Sequence, residues 1–280
     1  MLSRIRREGQ KLAVNGSGIN GLQSLSFGYQ STAQPVIPLG VERVMYAPSS
    51  PQTASISANS LMVYDDFFAQ FTGESPFSGQ VNYKDQTIKF TEAYLSSYSC
   101  SCAIGEIPSL GMQAEIYGEM GTGNYFDFGE TTPHDTDLQV AGYNSIDINL
   151  DEFNTNRVNS FALDIQVPRT PIYAFNDKAP SEVISNSPMD ISLQFNIEAD
   201  DYKIKNMRFV PEETVFRNVS LKINKNNYIW DDALSTFANN LRANIKVFHF
   251  KSLLLVSEQY QSDSNNNVGI NFVLKGTTLR

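Results

Sequence analysis

The 280-residue chain has little of what most protein chemistry uses: two cysteines, two histidines and one tryptophan. Cys100 and Cys102 are separated by one residue, which puts both side chains on the same face of a strand and spaces them badly for an ordinary disulfide. His134 and His249 stand at no metal-ligand spacing from them, so there is no closed zinc site to build. The pair reads as small residues packed in a strand, and the low cysteine usage points to a reducing compartment. A basic balance is missing too. The formal net charge is −9, which excludes the counterion-displacing surface of a sequence-independent nucleic-acid binder. No apolar run approaches the ~20 residues of a membrane span. The start, MLSRIRREGQKLAVNGSG, lacks the apolar stretch of a signal peptide, so the expectation is a protein made and kept in a cytoplasm, with no membrane segment.

Catalytic motifs are also absent. There is no G-x-S-x-G elbow, His134 lies in a Gly- and Asp-rich stretch, and His249 in Val247-Phe248-His249-Phe250 has the alternation of an outward-facing strand residue. Asp65-Asp66 and Asp200-Asp201 are neighbours, which on a strand point to opposite faces and make poor acid/base pairs. Gly16-Ser17-Gly18 and Gly121-Thr122-Gly123 lack the lysine of a phosphate loop. Asp135 and Asp137 have no calcium-loop pattern around them. The expectation is a protein that is not an enzyme and takes no cofactor or metal.

What the chain does have is short alternating runs rich in its 18 Phe and 13 Tyr, bounded by Gly, Pro, Ser or Asn. Residues 54–64, 87–98, 113–117, 190–197, 215–223, 245–256 and 268–274 read as strands of antiparallel sheets closing into a sandwich or barrel. Two stretches answer each other. Leu25, Phe27, Tyr29, Gln30, Pro35 and Val36-Ile37 are followed, in the same order, by Phe161, Leu163, Ile165, Gln166, Pro171 and Ile172-Tyr173. Ser50-Pro51 and Ser187-Pro188 continue the series, then Asp65-Asp66-Phe67 and Asp200-Asp201-Tyr202. The ends align as Leu110 to Gly118 against Val268 to Gly276. The pattern predicts two similar mainly β domains, each with a flanking helix and the second enlarged. The enlargement is placed at Trp230 to Ile245, where Leu234, Phe237, Leu241 and Ile245 recur at helical spacing behind Asp231-Asp232. A shorter helical turn is expected around Asp65 to Phe71. The expected layout is an N-terminal arm over 1–19 carrying Arg4, Arg6, Arg7 and Lys11, domains over 20–120 and 158–280, and an acidic linker over 121–157.

The first half resembles bacteriophage tail-tube proteins. The resemblance rests on Leu22-Gln23-Ser24-Leu25-Ser26-Phe27-Gly28-Tyr29, then Pro35-Val36-Ile37-Pro38-Leu39-Gly40, then Val44-Met45-Tyr46-Ala47, then Pro51 to Tyr64. It implies a β-sandwich whose sheets join those of neighbouring subunits into an inner barrel, in rings that stack into a hollow tube in the phage tail. A chain with two copies resembles the tandem type, three chains making a ring with pseudo-six-fold symmetry. The partners implied are other copies of itself and other tail, neck or baseplate proteins. DNA would pass only in transit, and acidic lumen residues would keep it from adhering. Ring-to-ring contacts are expected from Asp65, Asp66, Phe67, Phe68 and Phe71 and from Asp200, Asp201 and Tyr202, with the basic arm as a further contact. The competing expectations are a tail-completion, neck or baseplate-hub ring of the same fold, and a tandem β-sandwich that binds a receptor or carbohydrate.

Overall fold

The computed structural model describes residues 10–122, Ala141 and 145–276, apart from 32, 38, 41–43, 49–52, 63–67, 72, 74, 84–85, 151–152, 176, 178, 186–188, 199–214, 225–227, 232–235, 240–243 and 264–265. The fold is almost entirely antiparallel β. The first stretch holds β1 (Gln10–Val14), β2 (Ser17–Gly18), β3 (Leu22–Gln30), β4 (Ala33–Val36), β5 (Met45–Pro48), β6 (Thr53–Leu61), β7 (Phe77–Tyr83), β8 (Gln86–Ala103), β9 (Ser109–Ile116) and β10 (Met120–Thr122). The second holds β11 (Ile146–Leu150), β12 (Phe153–Thr155), β13 (Val158–Gln166), β14 (Arg169–Ile172), β15 (Glu182–Ser185), β16 (Asp190–Glu198), β17 (Phe216–Asn224), β18 (Tyr228–Asp231), β19 (Thr236–Asn239), β20 (Asn244–Asp263) and β21 (Asn266–Gly276).

Alternation drives the strands. In β16, Ile191, Leu193, Phe195 and Ile197 are buried while Asp190, Ser192, Gln194 and Asn196 face out. Phe195 pairs across the ladder with Phe272, the rings stacked 4.9 Å apart. The long strands β8 and β20 each serve two layers. β8 pairs with β7 up to Ala93 and with β9 from Ala93 onward; β20 pairs with β17 up to Leu254 and with β21 from there. Each turns the corner beside a non-glycine residue of positive φ, Glu92 (51°) in β8 and Ser252 (53°) in β20. A single apolar core fills the space between the layers. Leu12, Val14, Phe77, Val81 and Phe90 meet Ile56, Ala58, Met112 and Ala114 at one end. Ile148, Leu221, Phe248 and Phe250 meet Leu163, Leu193, Phe272 and Leu274 at the other.

The ladders recur in order. The pairs β1·β2, β1·β7, β3·β6, β4·β5, β6·β9, β7·β8 and β8·β9 find counterparts in β11·β12, β11·β17, β13·β16, β14·β15, β16·β21, β17·β20 and β20·β21. Irregularities recur as well. The register shifts between Leu22 and Ser24 and between Val158 and Ser160, between Phe77 and Gly79 and between Arg217 and Val219, and between Leu95 and Ser97 and between Leu255 and Ser257. These registers place Leu25, Phe27 and Tyr29 on β3 as Phe161, Leu163 and Ile165 lie on β13. They correct the alignment of the ends. Ile116, not Gly118, holds the place of Gly276, because Ile116 pairs with Ala54 as Gly276 pairs with Ile191. A two-residue slip keeps every side chain on its face, so alternation alone does not reveal it.

Three other expectations are corrected. The amphipathic helix over Trp230 to Ile245 is not formed: Tyr228–Asp231 and Thr236–Asn239 pair as a hairpin and Asn244 opens β20. Tyr228, Ile229, Trp230, Thr236 and Phe237 are aromatic or β-branched, and that preference outweighs four apolar residues at helical spacing. Among the described residues the only helical turn is the 3-10 turn Phe68–Phe71, inside the expected first-half segment; no flanking helix is seen. The boundaries shift too. Lys11, assigned to the arm, lies in β1 opposite Asn82, and Arg4, Arg6 and Arg7 lie outside the described residues. The expected linker contains β11 and β12, and β11 pairs with β17.

Candidate functional site: a polar sheet face with two open edges

Eight strands form one continuous sheet in the order β3-β6-β9-β8-β13-β16-β21-β20, four from each stretch. The seam is the pairing of β8 with β13, from Ser97 opposite Gln166 to Ala103 opposite Ser160. One face of this sheet is core. The other is mostly small and polar, with Ala162, Val273 and Leu254 its apolar exceptions beyond the seam. It carries Ser24, Ser26, Gly28 and Gln30 on β3; Thr53, Ser55, Ser57 and Asn59 on β6; Gln113 on β9; and Ser97, Ser99 and Ser101 on β8. Beyond the seam it continues with Ser160 and Gln166, then Ser192, Gln194 and Asn196, then Asn271, then Ser257, Gln259 and Gln261. Neighbouring strands are linked across it: the Asn59 amide donates to Ser24 Oγ (2.9 Å), and Ser101 and Ser109 share a hydroxyl hydrogen bond (2.9 Å). Gly111 lets the face pack closely here: a Cβ would lie 2.5 Å from Ser99 Oγ, so that hydroxyl would have to turn away. The charged residues that the ladders place on it are Glu115, Asp164, Asp190, Glu198 and Lys275.

The sheet ends in two open edges. Among the described residues β3 pairs only with β6, and β20 beyond Leu254 pairs only with β21. Burial marks what is missing. Ile165 on β13 is 1% exposed, while Tyr29, at the same place on β3, is 68% exposed. On β8, Tyr98, Cys100 and Cys102 are buried; on β20 the equivalent Glu258 and Tyr260 are half-buried and Ser262 is exposed. Unpaired strand edges carry free N–H and C=O groups and template pairing with another chain.

Beside the seam, the β14–β15 hairpin is tied to the first stretch by Arg169. Its Nε donates to the Leu95 carbonyl (3.1 Å), Nη2 donates to the Gly73 carbonyl (2.8 Å), and the guanidinium lies 5.6 Å from the Tyr94 ring centre. Tyr117 donates to Glu115 next to it, and burial, then that carboxylate, pushes the Tyr117 hydroxyl above its ordinary range. The corresponding β4–β5 hairpin has no such cover. Ile37 beyond β4 and Tyr46 in β5 are 72% and 71% exposed.

The residues expected to join rings fare differently. Phe68 and Phe71 are corrected: both are buried core residues of the 3-10 turn, Phe71 packing on Phe77 at 4.5 Å between ring centres, so neither is available as a contact. Asp65, Asp66, Phe67, Asp200, Asp201 and Tyr202 lie outside the described residues. His249 is exposed between buried Phe248 and Phe250, as the alternation predicts. Cys100 and Cys102 are buried free thiols, and burial, with Glu106 adding to it, pushes Cys102 up to about 12, so it is held as a thiol and is a poor nucleophile. Among the described residues no three His, Cys, Asp or Glu side chains gather where a metal would sit, and no helix is long and apolar enough to cross a membrane. No protein-family model matches the chain, and no curated protein sequence matches it. What sequence reading missed is the two open edges of the sheet. The signal was there in β3, a nine-residue strand with no charge, Pro or bulky gatekeeper to protect it.

Proposed function

We propose that this chain is a structural subunit built from two copies of one β-sandwich, and that copies of it assemble into rings stacking into a hollow tube of the kind formed by phage tail-tube proteins. In this reading it belongs to a virion, is assembled in a host cytoplasm, and does no chemistry. The observation that carries the proposal is the eight-stranded sheet, mostly polar on one face and, among the described residues, open at both edges. Rings close such edges, and a heterologous contact that closes on itself generates a ring. A ring of these sheets curved about the polar face would have a wall of hydroxyl and amide groups. Four carboxylates against the one Lys275 on that face give DNA few cations to grip, so it would pass without sticking. This modifies the expectation of an acidic lumen: the wall is mostly neutral and polar. Three chains per ring would give six copies of the sandwich. Electron microscopy of purified protein tests the proposal. Hollow stacked rings are expected; monodisperse monomers at every protein and salt concentration would contradict it.

A further inference from the structure

The seam inside the chain shows how two such units join, and the open edges are the same two strands left unjoined. We infer that β3 of one molecule adds to the free edge of β20 in a second copy of this chain, in the register copied from β13 on β8. That register sets Gln30 opposite Ser257, Gly28 opposite Gln259, Ser26 opposite Gln261 and Leu25 opposite Ser262. It follows from two correspondences. β3 and β13 have the same register and the same bulge against β6 and β16. β8 and β20 have the same register and bulge against β9 and β21, and the same positive-φ corner. The inference rests on the self-assembly reading above and names its contact.

The hydrogen bonds can be assigned in the same way. In the seam the Val167 N–H donates to the Ser96 carbonyl (2.8 Å), and past the bulge at Ser96 this register turns the N–H groups of residues 98, 100 and 102 toward β13. Their equivalents on β20 are residues 258, 260 and 262. Those on β3 are Leu25, Phe27 and Tyr29, whose N–H groups point away from β6. Charge permits the contact: β3 has no charged residue to meet Glu258 or leave Lys275 unmatched. The β4–β5 hairpin, which follows β3 as β14–β15 follows β13, would lie over Leu254 and Leu255 of the neighbouring copy, covering Ile37 and Tyr46.

The test is disulfide trapping in the full-length chain. Ser26 and Gln261 are both exposed on the polar face and form a directly opposed pair in this register. Ser26→Cys protein is mixed with Gln261→Cys protein under oxidising conditions, with Ser26→Cys plus Gln259→Cys and Ser26→Cys plus Asp263→Cys as registers shifted by two residues. The double variant Ser101→Cys/Ala162→Cys, across the existing seam, is the internal control for trapping at an equivalent pair. The native cysteines are buried and stay out of the exchange. The expected result is a shift to a cross-linked dimer for 26 with 261 and little for the displaced pairs, which lie beyond disulfide reach. Association of the unmodified chain without trapping at 26–261, or trapping only at a displaced pair, overturns this register and leaves self-assembly standing. A chain that never associates overturns both.

Discussion

The β8–β13 seam and the open β3 and β20 edges are made of equivalent strands, and they differ in what their side chains can do. At the seam, Tyr98, Cys100 and Cys102 face Phe161, Leu163 and Ile165, all nearly sealed from water, and Tyr98 reaches Phe248 of the second stretch at 6.3 Å between ring centres. At the open edge the equivalents are Glu258, Tyr260 and Ser262 on β20, and Leu25, Phe27 and Tyr29 on β3. The first set is a core that must never see solvent. The second survives exposure: Tyr260 donates a hydrogen bond to Glu258 (3.3 Å), and Leu25 and Phe27 on β3 are half-buried. One contact thus reads as permanent and apolar, the other as tolerant of both the free and the joined state. Obligate contacts are generally the more hydrophobic of the two kinds.

The comparison breaks most sharply with proline. Tyr98→Pro removes a seam donor and a buried aromatic side chain, whose loss alone costs about 3–5 kcal/mol, and the chain should fail to fold by circular dichroism. Glu258→Pro, at the equivalent place on the free edge, should leave a folded monomer and abolish association in sedimentation. If both variants unfold, or both assemble, the two edges are not equivalent. Truncation gives a smaller contrast. Leu163→Ala should cost about 2–5 kcal/mol in denaturant unfolding. Phe27→Ala, on a half-buried residue, should cost the monomer about 1 kcal/mol while weakening association. Equal losses of monomer stability would contradict the account.

The smallest effect is on pH dependence. Cys102 is a seam residue whose equivalent on the edge is Ser262. Its thiol is raised from 9.0 to about 12, first by burial and then by Glu106. The unfolded chain therefore loses this proton above pH 9 while the folded chain keeps it. The contribution to stability is complete below pH 9 and is lost as pH rises toward 12. Cys102→Ala should flatten the first part of the alkaline fall in stability, and Ser262→Ala should leave its slope unchanged. An unaltered slope in Cys102→Ala would show that the thiol is not held protonated by the seam.

Much of this architecture was legible in the chain. Alternation found β16, β17 and β21 within a few residues, and it set Leu25, Phe27 and Tyr29 and Phe161, Leu163 and Ile165 on strands. It underestimated β8 and β20, because each crosses a corner at Glu92 or Ser252 that no Gly or Pro announces. It misread Trp230 to Ile245, where four apolar residues suit a helix but their aromatic and β-branched neighbours favour strands. Phe68 and Phe71, expected as contacts, are core residues of a short 3-10 turn, and no alternation in the sequence marks that turn as buried. The site itself was hardest to read. A run such as Ser24, Ser26, Gly28, Gln30 is merely a solvent face until the ladders align it with seven other strands, and a free edge has no residue signature beyond the want of protection.

Amide hydrogen exchange compares the edges most directly. Dilute monomer should exchange quickly at Leu25, Phe27, Tyr29, Tyr260 and Ser262, and slowly at the seam positions Phe161, Leu163 and Ile165. In concentrated, assembled protein the first five should become protected together. Assembly that leaves those amides unprotected would contradict the claim that β3 and β20 of neighbouring copies are what join them.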